Sequence, residues 1–178
     1  AKPALGYYCS SNREVIRTHM TQLYAAGVDL IIRDHTNLRY GLKSSPTDWK
    51  LMVDAPMIAL FETIMEMRAE GLGTPYVVVW VGGGAGPLYQ ELYDKYHAVE
   101  KWKDCFVYWD GKPFMMTTHT TPEAFPLKDL FTVRSMWGLG GVKYDQGQWS
   151  FLSENNYKKF TKAADGSAEQ VSVAVASQ

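Results

Sequence analysis

Apolar positions along this chain follow two alternating periods. Ser11 to Ala26 carries Ile16, Met20, Leu23 and Tyr24 at helical spacing, and the next run, Val28-Asp29-Leu30-Ile31-Ile32, is short, apolar and β-branched, like a buried parallel strand. Gly6-Tyr7-Tyr8-Cys9 precedes the helix and reads as a strand, so the N-terminal stretch predicts strand, helix, strand, the last from Val28 to Asp34. Ser11 and Glu14 form an S-x-x-E capping box at the helix start, and Gly27 stands where a left-handed C-cap ends it.

A second cycle follows. Ser45-Pro46 starts a helical turn and Asp54-Ala55-Pro56 restarts it, because proline is tolerated in a first turn. Met57, Leu60, Phe61, Ile64 and Met65 then make one apolar stripe, ended by Gly71. Tyr76 to Val81 predicts the third buried strand, with Leu88, Leu92, Tyr93 and Tyr96 marking the helix that returns from it. Asp110-Gly111 between Phe106-Val107-Tyr108-Trp109 and Pro113-Phe114-Met115-Met116 signals a hairpin, whose second arm, ending near His119, becomes the fourth strand. Phe131 to Met136 and Gln170 to Ala176 complete the set as a fifth and a sixth strand. Strands alternating with helices indicate one α/β domain over residues 1–178, built on a mainly parallel sheet that is either a closed barrel or a doubly wound open sheet. Aromatic and polar residues after the strands favour a parallel (β/α) barrel of the TIM type. About six of its eight strands are expected here, since a whole barrel takes about 250 residues.

The last predicted strand is apolar and leaves an open edge, which implies missing neighbours: the remainder of a longer chain, or another subunit. That the sequence opens on Ala1 fits the same expectation. A formal net charge of −1 with no long basic run weighs against nucleic acid as a partner. No apolar stretch reaches the roughly 18 residues of a membrane span. Cys9 and Cys105 sit among aromatic and apolar neighbours and read as small buried thiols rather than a disulfide.

Several segments together resemble a known family: Gly6-Tyr7-Tyr8 before the capped helix, Ala25-Ala26-Gly27-Val28-Asp29-Leu30-Ile31-Ile32-Arg33-Asp34, Tyr108-Trp109-Asp110-Gly111-Lys112-Pro113, Arg134-Ser135-Met136-Trp137-Gly138 and Val171-Ser172-Val173-Ala174. Their ordered series is similar to the barrel of glycoside hydrolase family 99 and its family 71-like relatives. The resemblance implies a (β/α)8 barrel acting on a polysaccharide or glycan, exported to the periplasm or secreted, with no cofactor. It departs in three places: the family's Trp-Asn-Glu motif does not occur, His35 stands where an aromatic residue is common, and the Gly82-Gly83-Gly84-Ala85-Gly86 run is plain. The first departure leaves substrate binding in place and puts turnover by this chain alone in question.

Glycosidases place two carboxyl groups across the scissile bond. Asp34, at the end of a predicted barrel strand, is the candidate catalytic residue; its alternatives are pairing with Arg33 or Arg39, or capping its loop. Asp110 serves the turn. His35 and His119 fall near strand ends, where an imidazole exchanges hydrogen bonds with sugar hydroxyls, whereas His19 and His97 lie on helices and serve packing or surface. Tyr8, Trp80 and Trp137 are placed to stack on a pyranose or to fill the core. Arg134, within the fifth strand, needs a carboxylate partner if buried. The expected binding set is therefore Tyr8, His35, Trp80, His119 and Arg134, with no metal site. The glycine run lacks the full spacing and the lysine of a phosphate loop. Two functions remain: a glycoside hydrolase-like protein that cleaves a glycan when its barrel is complete, and a non-catalytic glycan-binding or assembly subunit completed by another chain.

Overall fold

A computed structural model of the chain describes residues 4–38, 46–83, 86, 88–137, 148–150, 160–163 and 165–170. Helices α1 (Arg13–Ala25), α2 (Pro46–Trp49), α3 (Ala55–Ala69) and α4 (Leu88–Leu92) flank strands β1 (Leu30–His35) and β2 (Tyr76–Val81), and strands β3 (Tyr108–Trp109), β4 (Lys112–Thr117), β5 (Thr132–Trp137) and β6 (Gln148–Ser150) follow α4 with no α-helix between them among the described residues. The strand order is β1-β2-β4-β5-β6, with β3 an antiparallel partner of β4. Pairing is parallel between β2 and β4, β4 and β5, and β5 and β6. This is an α/β fold on a parallel sheet, and among the described residues β6 does not return to β1 to close a barrel.

Local chemistry accounts for the element ends. Asn12, not Ser11, caps α1, its side-chain oxygen accepting from the N–H groups of Glu14 and Val15 at 3.1 and 3.3 Å; the Ser11 hydroxyl lies 3.1 Å from the Cys9 sulfur instead. Gly27 and Gly71 end α1 and α3 at φ of 78° and 81°. In both, the glycine N–H and the N–H after it return to helix carbonyls, Gly27 to Tyr24 with Val28 to Leu23, and Gly71 to Arg68 with Leu72 to Met67. Between α2 and α3, Lys50–Asp54 forms a π-helical turn, so the helix widens and continues where Pro56 cannot donate to a preceding carbonyl. A second π-helical turn, Tyr93–His97, continues α4.

The expected first strand does not form. Gly6 adopts φ 72°, which turns the backbone out of an extended path, and Tyr7 is 86% exposed. The expected strand ending at Asp34 begins later and runs one residue further, to His35. The hairpin appears as predicted in its turn, with Asp110 and Gly111 both at positive φ (52° and 76°), the two-residue geometry that matches strand twist. The strand expected over Gln170 to Ala176 lies outside the described residues beyond Gln170, which is not in a strand. β6, which was not expected, is three residues of Gln-Trp-Ser and carries too little alternation to be read.

The chain divides into two compact units that interleave in sequence. The first comprises Ala1–Arg33, Arg39–Val78 and Glu91–Val107. Its centre is Phe61, fully buried, whose ring meets Phe106 at 5.1 Å, Trp102 at 5.5 Å and Tyr96 at 5.9 Å. Met57, Ile64 and Met67 of α3 are fully buried with it, as the stripe predicted for Met57 and Ile64, while Met65 is half-buried. Asp54 links its two π-helical turns, accepting from Trp49 Nε1 at 3.1 Å, from Lys95 Nζ at 3.1 Å and from the Tyr96 hydroxyl at 2.5 Å. His97 is buried and stacks on Phe106 at 4.2 Å, a packing residue; burial pulls its pKa down to about 4. Both cysteines are free thiols; Cys105 is buried, but Cys9 is exposed, against expectation. The second unit comprises Asp34–Leu38, Val79–Gln90 and Tyr108–Gln178 and carries the C-terminal ends of β1 and β2 with the whole of β3 to β6.

Candidate functional site

In parallel α/β sheets the strand C-terminal ends are where ligands are taken, because loops there are free of sheet pairing and can carry converging side chains. In the second unit these ends gather around the backbone of Gly82. A Cβ on Gly82 would lie 2.2 Å from the Thr36 carbonyl oxygen, so glycine is what allows the chain leaving β1 to approach the end of β2. From the other side the Tyr89 hydroxyl of α4 donates to the Gly82 carbonyl at 2.6 Å. Next along, the Gly83 N–H donates to Thr118 Oγ1 at 2.9 Å, and the Thr118 N–H to the Val81 carbonyl at 3.0 Å, joining the ends of β2 and β4.

His119 completes this arrangement. Its backbone N–H donates to Thr117 Oγ1 at 3.2 Å, and its Nε2 lies 3.1 Å from the Tyr89 hydroxyl. Phe125, nearly fully buried, supports both rings from below, 4.9 Å from Tyr89 and edge-on at 5.9 Å to His119. His119 is half-buried, and that burial lowers its pKa from the ordinary value of 6.5. An imidazole so placed is neutral at neutral pH.

The register brings two further expected residues into one row. Trp80 pairs with Met116, and Met116 with Arg134, so in a parallel sheet their side chains share a face, the outer two about 10 Å apart. Trp80 is buried. Arg134 finds the carboxylate that its position demanded: Nε donates to Glu169 Oε2 at 2.8 Å and Nη2 to Oε1, a bidentate pair. The guanidinium lies 4.5 Å from the centre of the Trp109 ring, and Trp149 Nε1 donates to the same Glu169 oxygen at 2.8 Å. Burial works to raise the Glu169 pKa, but the Arg134 and Trp149 hydrogen bonds outweigh it and hold the carboxyl below its ordinary range. An open cleft of about 280 Å³, lined by Lys128, Asp129, Phe131 and Arg134 among others, adjoins the first half of β5 and not the strand C-terminal ends.

Asp34 is exposed, and its carboxylate accepts from the Thr36 N–H at 2.8 Å, closing its own turn. This is the loop-capping alternative that its sequence position left open. His35 is buried at 4% exposure. Tyr8 belongs to the first unit, exposed, with its ring edge-on to His19 at 5.7 Å. Trp137 ends β5 opposite Ser150. The second unit thus contains Asp34, His35, Trp80, His119 and Arg134, and joins His119 to Tyr89, which sequence reasoning had assigned no role. Glu169 was missed as well; the unpaired Arg134 was the signal for it.

Among the described residues no group of three His, Cys, Asp or Glu side chains could hold a metal ion, and no helix is long and apolar enough to cross a membrane. Comparison with family models, with curated proteins and with solved structures finds no match to this chain. None of these comparisons identifies glycoside hydrolase family 99 or its family 71-like relatives.

Proposed function

We propose that this chain is a carbohydrate-active protein of the (β/α) barrel kind that binds a polysaccharide or glycan at the C-terminal ends of its parallel strands. Hydrolysis follows when the barrel is complete. The observation that carries this reading is the joining of Gly82, Tyr89, Thr118 and His119 at the ends of β2 and β4. Hydroxyl, imidazole and backbone groups offer donors and acceptors without net charge, which suits the alternating donor and acceptor character of neutral sugar hydroxyls. Export, as a secreted or periplasmic protein, belongs to the same reading and rests on the family resemblance.

A second reading, a glycan-binding or assembly subunit without turnover, is favoured by the described carboxylates. Glycosidic cleavage takes one carboxyl group that stays protonated and another that is ionised. Asp34 is engaged in its turn, and Glu169 is held as an anion. Asparagine forms the same turn without charge, so Asp34→Asn separates the two readings. Calorimetry and reducing-end release with neutral gluco-, xylo- and manno-oligosaccharides form the test. Under either reading His119→Ala weakens binding about tenfold, or about 1.4 kcal/mol. Turnover by the wild type that Asp34→Asn abolishes supports the hydrolase, and binding without released reducing ends supports the subunit. If the wild type binds none of these sugars, both readings fail.

A further inference from the structure

We propose that Tyr89 fixes the tautomer of His119, so that the ring presents the lone pair of Nδ1 to a ligand and takes a hydrogen bond from a glycan hydroxyl at the ends of β2 and β4. The assignment of a glycan rests on the function proposed above; the tautomer does not.

The argument is one of proton counting. A phenol carries a single proton. The Gly82 carbonyl, 2.6 Å from the Tyr89 hydroxyl oxygen, can only accept, so the phenol's proton lies in that bond. The His119 Nε2, 3.1 Å from the same oxygen, therefore faces a lone pair and must itself be the donor. A neutral imidazole carries one N–H, so with Nε2 protonated Nδ1 is the acceptor. Among the described residues no protein group donates to Nδ1. The chain Nδ1, Nε2–H, Tyr89 O–H, Gly82 carbonyl runs in one direction, and each bond polarises the next, which strengthens Nδ1 as a hydrogen-bond acceptor.

The surroundings keep the ring neutral. The groups against the ring are the Tyr89 hydroxyl from α4 and the Phe125 ring from the loop that follows, while Thr117 Oγ1 of β4 takes the backbone N–H. None carries a charge at neutral pH, and burial is the sole cause of its lowered pKa. Glu91, the acidic residue of α4, is paired with Lys95 at 3.2 Å. A carboxylate ligand would favour the protonated ring, whereas a hydroxyl donor is matched by the neutral one. The arrangement thus selects a neutral, hydroxyl-rich sugar at this position over ligand groups that only accept, such as carboxylates or phosphates.

Tyr89 is a positioning residue in this scheme, since it acts through His119. The test is long-range proton–nitrogen NMR of the histidine rings in the full chain at about pH 8, well above the ordinary histidine range near 6.5. The spectrum is followed while neutral gluco-, xylo- and manno-oligosaccharides are added, with calorimetry alongside. The expected result is a His119 spectrum of the Nε2–H form, whose Nδ1 resonance moves upfield as a sugar binds. Tyr89→Phe keeps the ring against Phe125 but loses the bias between the two forms, and sugar affinity drops about fivefold. An Nδ1–H form in the wild type overturns the inference even if sugars bind. Sugar binding that leaves Nδ1 unmoved also overturns it, while sparing the glycan reading. An Nε2–H form with no sugar bound defeats the glycan reading, and the hydroxyl partner falls with it. If Tyr89→Phe does not fold, the wild-type tautomer and its response to sugar still decide.

Discussion

Replacing Glu169 by glutamine tests whether the Arg134 pair is a buried ion pair or a surface ornament. The carboxylate takes three donors, Arg134 Nε and Nη2 and Trp149 Nε1. An amide keeps the shape but turns an NH2 toward at least one of them, leaving a donor without an acceptor. Removing one partner from a buried pair costs about 3–5 kcal/mol. Here the Glu169 side chain is 6% exposed, but Arg134 keeps 21% of its own in solvent, its Nη1 bond to the Val133 carbonyl and the face of Trp109. The cost therefore falls to about 2–3 kcal/mol. In a chain of this size that lowers the melting midpoint by about 4–12 °C. Glu169 also sets a pH dependence. Its folded pKa lies below the ordinary 4.5, so the unfolded chain takes up the proton first as pH falls. The stabilisation is whole above that ordinary value and is lost as pH drops through the lowered one. Glu169→Gln has no carboxyl to titrate, so the gap between wild type and variant closes in acid. Urea unfolding followed by tryptophan fluorescence at neutral and acid pH measures both. A loss under about 1 kcal/mol, the range of exposed pairs, refutes the reasoning, as does a gap that persists in acid.

Asn12→Ala removes the acceptor for two N–H groups at the start of α1 and should cost about 1 kcal/mol in urea unfolding, whereas Ser11→Ala leaves stability unchanged. The reverse order would restore the capping box read from the sequence. Gly82→Ala sets a methyl group 2.2 Å from a backbone oxygen that cannot rotate away, so a loss of about 1–3 kcal/mol or more is expected by thermal unfolding. An alanine variant as stable as the wild type would mean that the segment after β1 does not approach β2 so closely.

What could be read from the sequence was what local chemistry determines. Gly27 and Gly71 signalled left-handed helix ends, and Asp110-Gly111 a two-residue turn, because each needs a backbone conformation that few residues adopt. The strands Tyr76–Val81 and Thr132–Trp137 were legible as apolar runs, within a residue at their ends. The misreadings share a cause. The S-x-x-E spacing pointed to Ser11, whose hydroxyl turned to Cys9 instead, while the neighbouring Asn12 caps the helix. Gly6-Tyr7-Tyr8-Cys9 has the composition of a strand, but strand formation needs a neighbour to pair with, and composition does not supply one.

The candidate site divides along the same line. His119 was singled out because it follows a strand, a position that topology makes available to ligand. Tyr89 was not, because it lies next to Leu88 in an apolar helical pattern, where an aromatic residue reads as core. Both descriptions hold: the Tyr89 ring packs on Phe125 in the core while its hydroxyl reaches the Gly82 carbonyl. A tyrosine of this kind has an apolar body and a polar tip, and only the fold says where the tip arrives. Arg134 is the converse case. Burial of a guanidinium required a carboxylate, yet 35 residues separate it from Glu169, and nothing in local spacing connects them. The parallel sheet makes that connection by bringing distant segments onto one face of β5 and β6, and the same sheet joins His119 to Tyr89 at its C-terminal edge. In this chain the expected chemistry therefore follows strand ends, which a sequence marks, while the partners that tune it follow strand order, which it does not.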